Sequence, residues 1–271
     1  MTRPRLRVVI AGVTGWAGSA LARAVIEQPD LELVAGIARK AAGQSIGAAL
    51  GVHCEAPIFD TAAAALATKP DVLFEFSKPD AALAHVRAAL AAGAHAVVGT
   101  SGLSDEEYAG LDAQAREARR GVLACGNFAI TAVLLQRFAE MAMKWLPDVE
   151  LIDFASASKV DVPSGTVREL ATRLGRARPA DQPPSALPLA ALRGPVQTRG
   201  ASMNSIPVHS VRLPGYVLGV EAIFGTHGQR LHLRHEAGSE AEVYVEGALL
   251  AIRKVPGLVG VVRGLDQVMS D

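Results

Sequence analysis

Cysteine is scarce in this chain. Cys54 and Cys125 are the only two in 271 residues, too few for a disulfide framework or a thiolate-built metal cluster, and both are expected as core or near-core thiols. An excess of one charge is missing too. Lys plus Arg and Asp plus Glu both number 27, so no net field draws the protein to nucleic acid or to an acidic membrane. No apolar run reaches the roughly 18 to 20 residues of a membrane-spanning helix. The opening Met1-Thr2-Arg3-Pro4-Arg5 leads into an apolar stretch too short for the core of a signal peptide. A soluble, cytoplasmic protein is expected, with neither nucleic acid nor membrane as partner. Internal repeats and low-complexity segments are absent as well.

Metal-ligand and nucleophile patterns are equally thin. His53, His85, His95 and His227 show no constellation with cysteines or carboxylates. His232 and His235 stand three apart on an expected strand, where their side chains face opposite sides. No metal site is expected. A lone strand histidine such as His209 is expected to pack or hydrogen-bond rather than donate a proton in chemistry. No Gly-x-Ser-x-Gly element is expected to present a nucleophilic serine.

What the chain does have is apolar content, half of its residues, and length enough for a large core and two domains. From Leu6 to about Leu146, short β-rich runs alternate with longer helical ones, the pattern of a parallel sheet with crossover helices. Strands are expected at 7–12, 31–37, 71–76, 95–98 and 121–125, and helices at 19–28, 62–68, 80–92 and 104–119. Ser104 with Glu107 is a capping box that marks one helix start. The sheet is expected to be doubly wound.

Beyond Ile130 the rhythm changes. A helix through Trp145 leads into a strand at 150–154. From Gly175 to Arg199 five prolines (179, 183, 184, 188 and 195) mark an irregular excursion. Runs at 207–212, 216–224 and 230–236, separated by Pro-Gly and His-Gly turns, fit antiparallel strands. Together they give a smaller α+β domain with an open mixed sheet. A helix at 240–253 and an irregular end at 257–269 then return to the first domain. The expected boundaries are 1–128 with 240–271 for a dinucleotide-binding domain, and 129–239 for a substrate-binding and oligomerisation domain.

The glycines of Gly12-Val13-Thr14-Gly15-Trp16-Ala17-Gly18 follow a strand and precede a helix. In that setting the backbone approaches a pyrophosphate closely and the helix N-terminus supplies positive potential. Gly12, Thr14, Gly15, Trp16 and Ala17 are the expected contacts. The second strand ends in Ala38-Arg39-Lys40, where NAD-selective proteins usually place an acid. Arg39 and Lys40 suit the 2′-phosphate of NADPH instead, with NADH as the lesser cofactor. Ligands of doubly wound sheets bind at the carboxyl ends of strands. Phe76 and Ser77, Gly99, Thr100 and Ser101, and Gly126, Asn127 and Phe128 are therefore expected beside the nicotinamide.

A second constellation is Lys159-Val160-Asp161-Val162-Pro163-Ser164-Gly165-Thr166. A lysine, then a Pro-Ser-Gly-Thr turn opening a helix, provides a cation, backbone N–H groups and hydroxyls for a carboxylate. Lys159 is the expected catalytic residue and Ser164, Gly165 and Thr166 the expected substrate holders. Ser156 and Ser158 are expected to line the site.

Taken with Glu75-Phe76-Ser77-Lys78-Pro79, Gly99-Thr100-Ser101-Gly102, Gly126-Asn127-Phe128 and His209-Ser210-Val211-Arg212-Leu213-Pro214-Gly215, these segments resemble the dihydrodipicolinate reductase family over nearly the whole chain. The resemblance implies a Rossmann-like domain, a substrate domain whose open sheet builds a homotetramer (a dimer being the other assembly considered), and hydride transfer from NAD(P)H to a cyclic imine dicarboxylate of lysine biosynthesis. It also implies that Lys159 pairs with the charge of an anionic substrate, that Gly165 and Thr166 cradle a carboxylate, and that residues 99–101 lie by the nicotinamide. In the family two adjacent histidines precede the lysine, one of them thought to be the proton donor. Ala155 and Ser156 stand at those positions here. Two alternatives follow from that departure: an imine reductase or amine-dehydrogenase-like enzyme with another substrate, or a nucleotide-binding protein without turnover.

Overall fold

A computed structural model of the chain describes residues 4–185 and 187–269. Met1 to Arg3, at the expected N-terminal lead-in, Ala186, in the expected irregular excursion, and Ser270 and Asp271 lie outside the described residues. The fold divides into two compact units, Met1–Ile130 with Ala241–Asp271, and Thr131–Glu240. Among the described residues no helix is long and apolar enough to cross a membrane.

The first unit is built on seven parallel strands: β1 (Leu6–Ala11), β2 (Leu31–Ile37), β3 (Ile58–Phe59), β4 (Val72–Glu75), β5 (His95–Val98), β6 (Gly121–Ala124) and β12 (Gly260–Arg263), in the order β12-β6-β5-β4-β1-β2-β3. The central runs are apolar throughout because both faces are covered, as parallel sheets require. Val8, Val9, Ile10, Val72, Leu73 and Phe74 are fully buried. Helices α1 (Trp16–Glu27), α2 (Ile46–Leu50), α3 (Ala62–Leu66), α4 (Pro79–Ala91), α5 (Asp105–Glu117) and, near the end of the chain, α8 (Val245–Lys254) complete this unit. The capping box forms: the Glu107 amide donates to Ser104 Oγ at 3.2 Å, and the Ser104 amide donates to Glu107 Oε2 at 2.7 Å.

The second unit holds α6 (Ile130–Met143, its first residue in the other unit), β7 (Asp148–Ala155), α7 (Gly165–Ala177), β8 (Ala201–Met203), β9 (Ile206–Arg212), β10 (Leu218–Thr226) and β11 (Gln229–Ala237). The sheet order is β11-β10-β7-β9-β8. On α7, Val167, Leu170, Ala171 and Leu174 recur at helical spacing and are fully buried. With Leu135, Ala139 and Met143 of α6 they pack on Val149, Leu151, Val208, Val220, Ala222 and Phe224, so both helices cover one face of the sheet.

Several sequence-based expectations are corrected. The run at 207–212 does not pair with the run at 216–224, and its antiparallel partner is β8. β9 pairs in parallel with β7, which inserts between it and β10, while the β10–β11 hairpin is antiparallel as expected. The end at 257–269 is not irregular, since β12 adds a parallel edge strand beside β6. Helix α1 starts at Trp16 rather than Ser19, α7 runs three residues into the expected excursion, and α8 starts only at Val245, after a 3₁₀ turn at Ala241–Tyr244.

Candidate active site

In the first unit the buried β1 delivers Gly12 to the turn before α1. Gly12 has φ +79°, and a Cβ there would run into the carbonyl of Phe76. Only glycine lets the β1 loop pass so close to the β4 loop. The Gly12 carbonyl accepts the Gly15 amide at 2.8 Å, closing the turn. Thr14, Gly15 and Trp16 are exposed, and Ala17 is partly buried. No side chain caps α1 and no acid lies in its first turn, so its N-terminal N–H groups and positive potential suit an anion. The Trp16 ring meets Tyr244 edge-on at 5.7 Å. Arg39 and Lys40 form an exposed 3₁₀ turn after β2, and no Asp or Glu occurs between Ala38 and Ile46.

The loops after β4, β5 and β6 converge on an aromatic plug. The ring centroids of Phe74, Phe76 and Phe128 lie 4.6, 5.3 and 5.6 Å apart, and a Cβ on Gly99 would strike the rings of Phe76 and Phe128. Asn127 accepts the Ala129 amide at 2.8 Å in an Asx turn that opens α6. Ser101 and Gly126 are exposed, and Ser77 Oγ is buried without a partner.

Beneath these loops lies a residue that sequence reasoning missed. The Glu75 carboxylate, at the end of β4, is fully buried. Its Oε1 accepts the Ser77 amide at 2.6 Å and lies 3.4 Å from the Thr100 hydroxyl, and its Oε2 lies 2.6 Å from His85 Nδ1. The expectation that His85 has no carboxylate partner is therefore wrong. Its signal was the helical spacing of His85 with Ala82 and Ala89, which turns one face of α4 inward. Gly43-Gln44-Ser45-Ile46-Gly47 does have the Gly-x-Ser-x-Gly spacing that was not expected. Its serine is an N-cap, Oγ accepting the Ala48 amide at 3.1 Å, and no histidine bonds to it.

In the second unit β7 ends at Ala155, which is fully buried. Ser156 Oγ follows at 3.1 Å from Ser158 Oγ. Lys159 Nζ lies 2.9 Å from Asp161 Oδ1, and the hydrogen bond from Lys159 holds the Asp161 carboxyl below its ordinary pKa. The Val162–Pro163 peptide is cis. Ser164 is the N-cap of α7, but its hydroxyl caps nothing and is buried without a partner, and its amide is taken by Asp153 at 2.8 Å. Exposed Gly165 and partly buried Thr166 start the helix, again with no acid in the first turn. Arg168, one turn on, donates to the Pro163 carbonyl at 2.7 Å and brings a second cation to that end. A cation at a helix N-terminus opposes the macrodipole, so the loop favours anions at a cost in helix stability. His209 bonds Glu150 at 2.8 Å rather than any residue of this loop.

A family model for the N-terminus of dihydrodipicolinate reductase matches residues 6–128, and one for its C-terminus matches residues 131–269. The 4-hydroxy-tetrahydrodipicolinate reductase of Thermosynechococcus vestitus is 39% identical over 271 residues, covering 97% of each chain. That of Geobacillus kaustophilus is 38% identical, covering 98% of this chain and 99% of its own. A dipicolinate-bound dihydrodipicolinate reductase from Paenisporosarcina sp. superposes with a TM-score of 0.84 at 31% identity, covering 98% of this chain and all of the other. An amine dehydrogenase from Mycobacterium smegmatis shares the fold, with a TM-score of 0.66 at 16% identity over 96% of this chain and 95% of its own. Matched end to end by both family models, the chain belongs to the dihydrodipicolinate reductase family and is a pyridine-nucleotide-dependent oxidoreductase.

Proposed function

We propose that the protein is a cytoplasmic NADPH-dependent reductase of 4-hydroxy-tetrahydrodipicolinate, or of a close relative of that cyclic imine dicarboxylate, and that NADH serves it less well. Two features support the cofactor site. The glycine turn between β1 and α1 leaves the helix N-terminus without a side-chain cap or an acid in its first turn, as an anion bound there requires, and Arg39 and Lys40 stand where an acid would repel a 2′-phosphate. Thr14, Gly15, Trp16 and Ala17 hold the pyrophosphate end; Phe76, Ser77, Gly99, Thr100, Ser101, Gly126, Asn127 and Phe128 border the nicotinamide. A reduced nicotinamide bound there supplies the hydride.

One observation carries the substrate assignment. The uncapped start of α7 and Arg168 gather positive potential, with no acid in the first helical turn, and Lys159, paired with Asp161, lies in the loop before it. Such an end holds a carboxylate. Lys159 pairs with it, Gly165 and Thr166 offer N–H groups, and Ser156, Ser158 and Ser164 line the holder. Reduction also needs a proton. With Ala155 and Ser156 in place of the histidine pair, the Lys159 ammonium is the proton source, and the Ser156–Ser158 hydroxyls relay from solvent.

The test is NADPH oxidation by freshly generated 4-hydroxy-tetrahydrodipicolinate. Wild type is expected to turn over. Lys159→Ala is expected to lose at least about 100-fold in kcat/KM, because it removes both a charge-assisted contact and the proton source, with NADPH affinity unchanged. Turnover confined to other imines would move the substrate assignment to an imine-reductase or amine-dehydrogenase type. NADPH binding without turnover of any imine would overturn it.

The exposed apolar strip of Phe138, Met141, Trp145 and Leu231 on the second unit, beside the unpaired edge of β11, supports a homo-oligomer built through this unit, a tetramer or a dimer.

A further inference from the structure

Asp153 sits in a row that crosses the second sheet. Ser210 of β9 is its partner on one side, Val220 of β10 on the other, and His235 of β11 lies opposite Val220. The row faces the helices, and Asp153 is fully buried. A buried carboxylate is costly unless donors surround it. Here the donors all converge on one oxygen. Oδ2 accepts the Ser164 amide at 2.8 Å, Arg212 Nη2 at 2.7 Å and the Ser210 hydroxyl at 3.3 Å.

Arg212 carries the grip onward. Its Nη2 also donates to the Asp161 carbonyl at 2.8 Å, and its Nη1 to the Asp153 carbonyl at 3.2 Å and the Val211 carbonyl at 3.0 Å. The loop before α7 is thus pinned at two points. One is Asp161, whose side chain pairs with Lys159. The other is Ser164, the N-cap of α7. Both anchors belong to β7 and β9, which pair directly, so the pins rest on rigid sheet rather than on loop.

We infer that Asp153 and Arg212 are positioning residues for the anion holder, which rests on the reading of residues 159–166 as the substrate loop. Two arguments carry this. The first is electrostatic. An unpaired carboxylate against the Ser164 amide would cancel much of the positive potential at the start of α7, and Arg212 removes that charge while leaving the loop pinned. The Ser164 amide is spent inside the protein, so the ligand-facing N–H groups are those of Gly165 and Thr166. The second is that a buried ion pair is a weak source of stability against an apolar pair of the same shape. Asp153 Oδ1, Arg212 Nε and Ser164 Oγ are all buried without partners among the described residues. A half-satisfied buried network stabilises less than an apolar one of the same shape.

The full-length protein is the test object and dipicolinate, a planar dicarboxylate, the probe. Its Kd and that of NADPH are measured for wild type, Arg212→Lys, Arg212→Met, Asp153→Asn and the Asp153→Asn/Arg212→Met double variant, with kcat and KM for each. Arg212→Met is expected to weaken dipicolinate by more than about tenfold, the loss expected when a charged donor is removed, with NADPH affinity unchanged. The double variant is expected to recover part of that loss, because the neutral amide introduced by Asp153→Asn still accepts the Ser164 N–H without repelling the ligand. Arg212→Lys keeps the charge and loses the Asp161 pin, so an intermediate Kd and a KM raised more than kcat is lowered support the role. If Arg212→Met does not fold, the lysine and double variants carry the comparison. A double variant no better than the worse single, or a folded Arg212→Met or Arg212→Lys with wild-type affinity, overturns the inference. Wild type that binds NADPH but not dipicolinate overturns the reading of residues 159–166, and the inference with it; dipicolinate binding lost in Lys159→Ala but unchanged in the Arg212 variants overturns the positioning role alone.

Discussion

His85 Nδ1 lies 2.6 Å from Oε2 of the fully buried Glu75, and the other oxygen of that carboxylate accepts the Ser77 amide at 2.6 Å. One side chain therefore ties α4 to the β4 loop, with the Thr100 hydroxyl of the β5 loop at 3.4 Å. Removing it leaves an imidazole and an amide without their acceptor. Glu75→Ala is expected to cost about 1–3 kcal/mol for each donor left without its acceptor, and to weaken NADPH binding. Glu75→Gln keeps the shape and should cost less on both counts. Denaturant titration and cofactor fluorescence check the two together, and an Ala variant of wild-type stability would refute the clamp.

Arg39 and Lys40 sit exposed where β2 ends. A guanidinium there gains far more from a 2′-phosphate than from a ribose hydroxyl. Arg39→Ala is expected to raise the Kd for NADPH by about tenfold, the worth of one charge-assisted pair, and to leave NADH nearly untouched. Equal losses with both nucleotides would remove the 2′-phosphate assignment.

Sequence carried the local features and missed the long-range ones. The capping box at Ser104 and Glu107 was readable because its partners are three residues apart, and the apolar runs of β1 and β4 because burial on both faces leaves them no polar position. β9 looked like a hairpin partner of β10 because only turns separate them, yet its parallel pairing with β7 is decided across long sequence separations, as Ile152 opposite His209 shows. β12 is four residues long, too short to show a period. In the candidate site, Lys159 and the glycine turn announce themselves by spacing. Glu75, Asp153 and Arg212 do not, since their roles appear only once strands and loops distant in sequence are side by side.

Burial lowers the pKa of His95 and, independently, of His235. Both rings serve as neutral groups: His95 Nδ1 accepts the Gly121 amide at 2.9 Å, and His235 Nδ1 lies 2.9 Å from the Thr131 hydroxyl. With the folded value below the unfolded one, near 6.5, the unfolded chain takes up protons first as pH falls. Their stabilising effect is therefore full above that value and declines below it until the folded rings protonate as well. The unfolding midpoint is expected to drop between about pH 7 and pH 5. A substitution His95→Gln that folds should flatten that dependence in part, and an unchanged slope would show that His95 does not contribute to it.

Ala155 and Ser156, which the resemblance sets at the places of a histidine pair, differ in burial. Ala155 is fully buried at the end of β7, whereas Ser156 is partly exposed with its hydroxyl 3.1 Å from Ser158 Oγ. An imidazole at 155 has to be forced into packed surroundings, an overpacking cost of about 1–3 kcal/mol. Ala155→His is therefore expected to lower the unfolding midpoint, while Ser156→His should leave it nearly unchanged. A histidine at 156 titrates close to neutral pH and places a general acid next to the Lys159 loop, an effect worth up to about 10²-fold in rate where it is well aimed. In Ser156→His, kcat should rise and its pH profile should gain a limb near about pH 6.5 that wild type lacks. If kcat and the profile both stay as in wild type while the variant is folded and binds dipicolinate, proton supply does not limit turnover, and the loss of the histidines bears on substrate choice instead.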